Sequence, residues 1–452
     1  MDYSAISFWH SQLGAPQVRA APDSRGPFDV AIVGAGYTGL WTGIYLLRQK
    51  PELTVAIFEA EVAGFGASGR NGGWCSALFP WAADQLADRF GESAARALRQ
   101  AMVDTVDEVG KITAELGIDC DFEKAGTHYL VRSKAQEAKA RHELEVAARF
   151  GVDQLQMTQA SAAPRASKVS ASIFDPACAS IQPAKLARGL ADAFIELGGK
   201  IYEQTRVMEI KPGRIFTSRG EFSAESVVDA TEGYRTTLKG KKRSSIPIYS
   251  LMIATEPIAE ELLDEIGLKP GVTFADYRNL VIYGQRTADN RIAFGGRGAP
   301  YHFGSSIKAE YDQVPRIHSQ IERVLFELFP QLAGTKIEYR WGGALGVARD
   351  WMASVSLDPV TKIGQAGGYV GDGVGTSNLA GRTMADLLLG RSTNLTSLCW
   401  VNHHSPKWEI EPLRFIAARS ALIGADLADQ IEGVTGRRSV ISKIIARLTG
   451  KA

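Results

Sequence analysis

Two glycine-rich runs and one acid stand at the spacing a bound dinucleotide requires. The first run is Gly34-Ala35-Gly36-Tyr37-Thr38-Gly39, and Glu59-Ala60 begins 20 residues beyond Gly39. A helix that opens at such a turn offers unpaired N–H groups and the positive end of its dipole, so it can hold a pyrophosphate without Lys or Arg. Gly34 permits the sharp turn, Gly36 lets backbone approach a phosphate, and Gly39 lets helix pack closely on strand. A carboxylate at Glu59 can accept both hydroxyls of a ribose, which favours FAD or NAD over NADP. The alternative is a purely structural turn. The order strand, turn, helix, strand, acid argues for the nucleotide.

The second run, residues 64–73, contains Gly66, Ala67, Ser68, Arg70, Asn71, Gly72 and Gly73. Ser68 and neighbouring N–H groups can reach a pyrophosphate from its other side, while Gly72 and Gly73 leave room for a flat ring. The alternative is a glycine-rich surface loop. A third run, Gly371-Asp372-Gly373-Val374-Gly375-Thr376, precedes a helix and aims N–H groups at an anion. Metal chemistry is not expected: His403 and His404 are adjacent, their side chains diverge, and no Cys or carboxylate stands at ligand spacing. His128 and His302 read as exposed-loop residues, and residues 239–243 as a solvated basic loop.

The elements that must position these groups surround them. Apolar runs predict strands at 28–33 and 54–58 with a helix at 40–50 between them. Three- and four-residue apolar spacing predicts helices at 87–117, 134–150, 183–198, 308–329 and 379–389. Strand signals fill 200–230 and 243–300, and 341–375 is rich in glycine with short strands. Residues 440–449 place Ile441, Ile444, Ile445 and Leu448 on one face of a basic helix, which either packs on its own domain or lies on a membrane.

Composition limits the partners. With 51 Lys and Arg against 50 Asp and Glu the net charge is +1, and no basic stripe interleaves with aromatics, so no nucleic-acid partner is expected. No apolar run is long enough to cross a membrane and no signal-peptide pattern opens the chain. The four cysteines are scattered without a C-x-x-C, as in a reducing compartment, and the expected location is cytoplasmic. Glycine supplies 46 of 452 residues, about 10% against an average near 7%, with no repeat or linker tract to explain it.

Residues 64–73 resemble the second flavin motif of the D-amino-acid oxidase superfamily, and the resemblance runs over nearly the whole chain. It implies FAD, expected to be noncovalent because Trp351 stands where sarcosine oxidases carry a tethering cysteine. Residues 181–186 are similar to the family's helix before the returning strands, and Val207 stands where members meet the adenine through backbone. Residues 227–233 are similar to the strand ending in A-T-G; here Ala230-Thr231 is followed by an inserted Glu232. The run at 371–376 corresponds to the loop at the pyrimidine end of the flavin. The segments at 39–42, 70–73 and 373–375 look closest to the γ-glutamylputrescine oxidase branch and to relatives proposed as aminophosphonate oxidoreductases.

Three departures accompany the likeness. Trp351 occupies the place of the cysteine that tethers flavin in sarcosine oxidases, and Ala293 that of a lysine used for reaction with oxygen. Gly375 replaces a lysine at the pyrimidine end.

The fold implied is α/β: a Rossmann-like FAD-binding domain in three pieces (25–90, 160–242, 340–399), an inserted α+β substrate domain with a mixed sheet (91–159, 243–339), and a C-terminal helical tail (400–452). The activity implied is oxidation of the C–N bond of an amine or amino acid by hydride transfer to flavin, with hydrolysis of the imine to a carbonyl plus amine or ammonia. Electrons then pass to oxygen, or to a quinone or carrier; a flavin-binding protein without turnover is the remaining alternative. Tyr283, Arg286, Arg297, Arg349 and Trp74 are the candidates for the substrate pocket. An Arg can grip a carboxylate or phosphonate bidentately, or else pair with a neighbouring acid.

Overall fold

A computed structural model describes residues 2–19, 25–152, 154–298, 300–437 and 439–442. Two eight-stranded sheets organise the chain. In the first, the order is Ser354–Leu357, Ile363–Gly367, Gly220–Asp229, Phe28–Val33, Val55–Phe58, Lys200–Tyr202, and Val207–Lys211 with Arg214–Thr217 branches from Gly220–Asp229. Its centre is parallel: Phe28–Val33 pairs with both Gly220–Asp229 and Val55–Phe58. Val30 to Val33 and Val55 to Phe58 are all buried, as expected of strands covered on both faces.

The helix expected at 40–50 begins earlier, at Tyr37, which makes Gly36 its N-cap. It packs against Gly373–Leu388 so closely that a Cβ on Gly381 would lie 2.5 Å from the Cβ of Trp41. The stretch 87–117 is two helices, Ala83–Phe90 and Glu92–Glu115, because Gly91 between them sits at φ +91°. The stretch 308–329 likewise divides into a turn at Ala309–Asp312 and a helix Pro315–Leu328, whose first residue is a proline that cannot continue a preceding helix.

The second sheet runs Ile337–Val347, Ile246–Thr255, Ile292–Arg297, Ile282–Arg286, Thr273–Asp276, Thr127–Val131, Ala171–Asp175, Gln156–Gln159. It is mixed, since Thr273–Asp276 and Thr127–Val131 pair in parallel and the other neighbours antiparallel. Ala171–Asp175 and Ile337–Val347, which fall largely in the sequence segments drawn with the cofactor, hydrogen-bond in this sheet. Beyond residue 400 the main element is the helix Leu413–Thr435. The basic helix expected at 440–449 lies outside the described residues after Ser442. No helix among the described residues is long and apolar enough to cross a membrane.

Candidate active site

One elongated cavity is walled by the C-terminal ends of the first sheet's strands, by the loop 64–73, and by the second sheet's strands at Ser250, Ala275, Tyr283 and Gly343. At its nucleotide end the glycine turn has a steric cause for each residue. Gly34 lies at φ +103°, and a Cβ there would stand 2.9 Å from the Ala230 carbonyl oxygen. A Cβ on Gly39 would stand 2.1 Å from the Gly34 carbonyl oxygen. On Gly36 it would meet the Ser68 hydroxyl at 3.0 Å, inside the cavity. The Tyr37 N–H donates to the Ser68 Oγ at 2.9 Å, so the two glycine-rich runs close on each other.

Glu59 receives the Ala35 N–H at 2.8 Å on one carboxylate oxygen and the Glu61 N–H at 3.0 Å on the other. Those bonds fix the carboxylate at the cavity wall and leave each oxygen a further lone pair. Burial pushes its pKa up, and the two N–H donors oppose that. Ala60, Val207, Ala230 and Thr231 share the wall. The turn, the uncapped helix start and the carboxylate together fit a dinucleotide. Ala35, Gly39 and Gly73 stand behind the wall rather than on it.

The loop 64–73 departs from expectation at its end. Gly72 and Gly73 do not make room for a ring of a ligand: a Cβ on Gly72 would lie 2.4 Å from the Tyr283 ring, and one on Gly73 would lie 2.0 Å from Gln285 Nε2. The space is taken by the protein's own side chains, and Gln285 donates to the Gly72 carbonyl at 2.8 Å. Arg70 donates through Nε to the Phe65 carbonyl at 2.7 Å and through Nη1 to Asp312 at 2.6 Å. Asn71 braces the loop by donating to the Ala67 and Ser68 carbonyls and accepting from the Gly73 N–H. Gly66, Ala67, Ser68, Arg70, Asn71 and Gly72 all line the cavity wall.

Opposite, Gly371, Gly373 and Val374 line the cavity at the start of helix Gly373–Leu388, which has no side-chain cap. Gly375 and Thr376 do not line it. A Cβ on Gly375 would press to 2.7 Å on the Ser76 carbonyl, and Thr376 is fully buried with its hydroxyl on the Asp372 carbonyl. The Tyr369 and Thr38 hydroxyls bond at 2.9 Å and tie this loop to the first helix.

Of the substrate candidates, the structure brings Trp74 and Tyr283 together, rings 6.3 Å apart and near perpendicular. Tyr283 is held by Ser250 at 2.6 Å. Tyr129 completes the wall, 6.4 Å from Trp74. The Trp74 Nε1 and the Tyr129 hydroxyl are both buried without a hydrogen-bond partner among the described residues. Burial also drives the Tyr129 pKa far up, so it is a neutral donor.

Arg286 is elsewhere: fully buried, it donates to Asp264, Glu260, Asn290 and the Leu268 carbonyl. Arg349 is half-exposed and pairs with Glu409 at 2.9 Å rather than with its neighbour Asp350. The Arg297 backbone pairs with Ser250, and its side chain lies outside what is described. Ala293 is fully buried in an apolar cluster with Met252 and Trp341.

The histidines are not as expected. His403 meets Asp350 at 2.7 Å, so a carboxylate does stand beside it. His128 is half-buried on a strand and bonded to Ser172, and His302 stacks on Tyr311 at 3.4 Å. Among the described residues no three His, Cys, Asp or Glu groups gather as for a metal.

Tyr129, Ser250 and Glu232 are cavity residues that sequence reasoning did not select. Nothing local marks Tyr129, whose place comes from pairing with Ala275 across the second sheet. Glu232 had a signal, its intrusion into the A-T-G pattern. It sits at φ +44°, accepts the Gly346 N–H at 2.7 Å and keeps its other carboxylate oxygen buried without a partner. Burial raises its pKa, opposed by that N–H and by Arg235.

Comparison with known proteins agrees with this geometry. The family described as FAD dependent oxidoreductase matches residues 29–387. Gamma-glutamylputrescine oxidoreductase of Escherichia coli K12 is 32% identical over 83% of this chain and 87% of its own length. Glycine oxidase of Geobacillus kaustophilus is 23% identical over 81% and 94%. In structure, glycine oxidase from Geobacillus kaustophilus superposes with a TM-score of 0.70 at 21% identity, covering 83% of this chain and 99% of that one. L-proline dehydrogenase from P. horikoshii gives 0.68 at 18%, covering 83% and 95%.

Proposed function

The chain belongs to the FAD dependent oxidoreductase family and is an FAD-binding oxidoreductase of its amine and amino-acid oxidising members, and on that premise we propose what its cavity does. Gly34, Gly36, Ser68 and the N–H groups of the first helix hold the pyrophosphate of FAD, Glu59 its ribose, and Val207 its adenine through backbone. Gly371, Gly373 and Val374 face the pyrimidine end. The cofactor is noncovalent: no lining residue is a cysteine or histidine, and Trp351 stands at the family's tethering position.

The substrate is an amine or amino acid bound between Trp74, Tyr129 and Tyr283. The single observation that carries this is one cavity running from Glu59 and Gly36 to the side chains of Trp74, Tyr129 and Tyr283, with Trp74 Nε1 and Tyr129 Oη buried and unpartnered beside it. Bound FAD supplies the hydride acceptor for the carbon bearing the nitrogen, and water then splits the imine to a carbonyl and an amine or ammonia. The chain's own part is orientation and dehydration. Neutral donors hold an acceptor atom of the substrate, and the aromatic walls exclude water from the reacting carbon and nitrogen.

Anaerobic titration with a panel of amines, γ-glutamyl amides and amino acids tests the reading. Bleaching of the flavin by at least one of them is expected, and a protein that stays yellow against all is a flavin-binding module without turnover.

A second reading concerns the acceptor. With Ala293 sealed in an apolar cluster where the family's oxygen-reactive lysine would stand, and no lysine on the cavity wall, electrons pass to a quinone or carrier rather than oxygen. Dye reduction without matching peroxide is expected, and stoichiometric peroxide overturns it. The four unpaired thiols fit a reducing, cytoplasmic setting.

A further inference from the structure

We propose that two copies of this chain pair through the outer face of the helix Leu413–Thr435, antiparallel about a two-fold axis. The helix is fixed to the body by its inner face, where Arg414, Ala428 and Glu432 are buried. Asp429 accepts the Asn279 and Leu280 N–H groups, and Lys139 pairs with Glu432. Its outer face carries Leu413, Ile416, Ser420, Ile423, Leu427, Gln430 and Val434, spaced alternately three and four residues apart. The apolar members are bare: Leu413 is 59% exposed, Ile416 56%, Ile423 66%, Leu427 44% and Val434 89%. Exposed Ile410 and Phe303 extend the patch. Strict three-four spacing is the seam of a two-helix pair, narrower than the stripe of a helix packed on a core.

Charge selects the occupant and its direction. Arg419 and Asp426 flank the same side of the seam, one heptad apart. In an antiparallel pair this side faces itself, so Arg419 of each copy meets Asp426 of the other, twice by symmetry. The accompanying layers put Leu413 opposite Gln430, Ile416 opposite Leu427 and Ser420 opposite Ile423. Ala417 and Gly424 line the other side and allow close approach. In a parallel pair Arg419 would face Gly424, and Asp426 would face Ile431, leaving both charges without a partner. Arg419 has its guanidinium over the Phe415 ring at 5.1 Å and a buried Nε with no hydrogen-bond partner. The 23-residue helix offers about 35 Å of seam. It lies beyond the residues 29–387 that the family matches.

Sedimentation velocity on the full, flavin-loaded chain over a wide concentration range is the test. A dimer is expected, and Ile423→Glu should make it monomeric with flavin content unchanged. Arg419→Asp and Asp426→Arg should each weaken the dimer about tenfold, and the two together should restore it. A wild-type monomer at every concentration overturns the proposal, including one that instead floats with phosphatidylglycerol vesicles. So does a dimer indifferent to Ile423→Glu, or a double swap that fails to restore what the single swaps lose.

Discussion

The two ends of the cavity are built from different material. At the nucleotide end the groups proposed to meet a ligand are mostly backbone N–H, carried on a parallel sheet where Gly34 and Gly39 are required by contacts shorter than a Cβ allows. At the other end they are side chains, Trp74, Tyr129 and Tyr283, two of them brought by the second sheet. Backbone recognition depends on turn geometry, which a short motif encodes. Side-chain recognition depends on which strands pair across a hundred residues or more, which no short motif encodes.

Substitutions at each end can break this contrast. The largest effect is expected at the turn: Gly36→Asp puts a carboxylate against Ser68 and any phosphate, and the purified protein should lose essentially all flavin by absorbance. Full occupancy would show that side chains elsewhere dominate cofactor binding. Next, Arg286→Met should cost about 2 kcal/mol in urea unfolding by removing a buried hub of four acceptors, with KM unchanged. Arg349→Met, whose ion pair is half-exposed, should change stability by less than about 1 kcal/mol and serve acidic and neutral substrates alike. A selective loss for acidic substrates would return Arg349 to the pocket.

At the substrate end, Tyr129→Phe and Trp74→Phe should each lower kcat/KM about tenfold with flavin retained, the value of one hydrogen bond made in the transition state. Unchanged kinetics would remove the two donors from the site. The smallest effect tests a brace behind the flavin loop, where the Ser7 hydroxyl donates to the Gly69 carbonyl at 2.9 Å and meets His10 Nδ1 at 2.8 Å. Burial lowers the His10 pKa from 6.5 to about 3, so below 6.5 the unfolded chain binds a proton that the folded chain refuses. Stability therefore falls as pH drops from 6.5 towards 3, and His10→Gln should flatten that part of a Tm–pH curve. An identical slope in the variant would assign the loss to other groups.

The same contrast explains what could be read in advance. The β-α-β unit, the glycine turn and Glu59 were legible because strand, turn and acid lie within about thirty residues and obey one steric logic. Gly72 and Gly73 were located in the right loop and given the wrong neighbour, since Tyr283 and Gln285 arrive from more than two hundred residues away. Arg286 was attractive as a cation, but alternation along Ile282–Arg286 could not say which acids would surround it. Tyr129 was invisible, as its pairing partner Ala275 lies 146 residues on.

The Tyr369 to Thr38 bond joins two helices whose uncapped starts both open on the cavity. On the proposed reading an anion there meets the peptide dipoles of the two helix starts. Counterions have nothing to displace at such a site, so cofactor retention should be indifferent to ionic strength, from dilute buffer to concentrated salt.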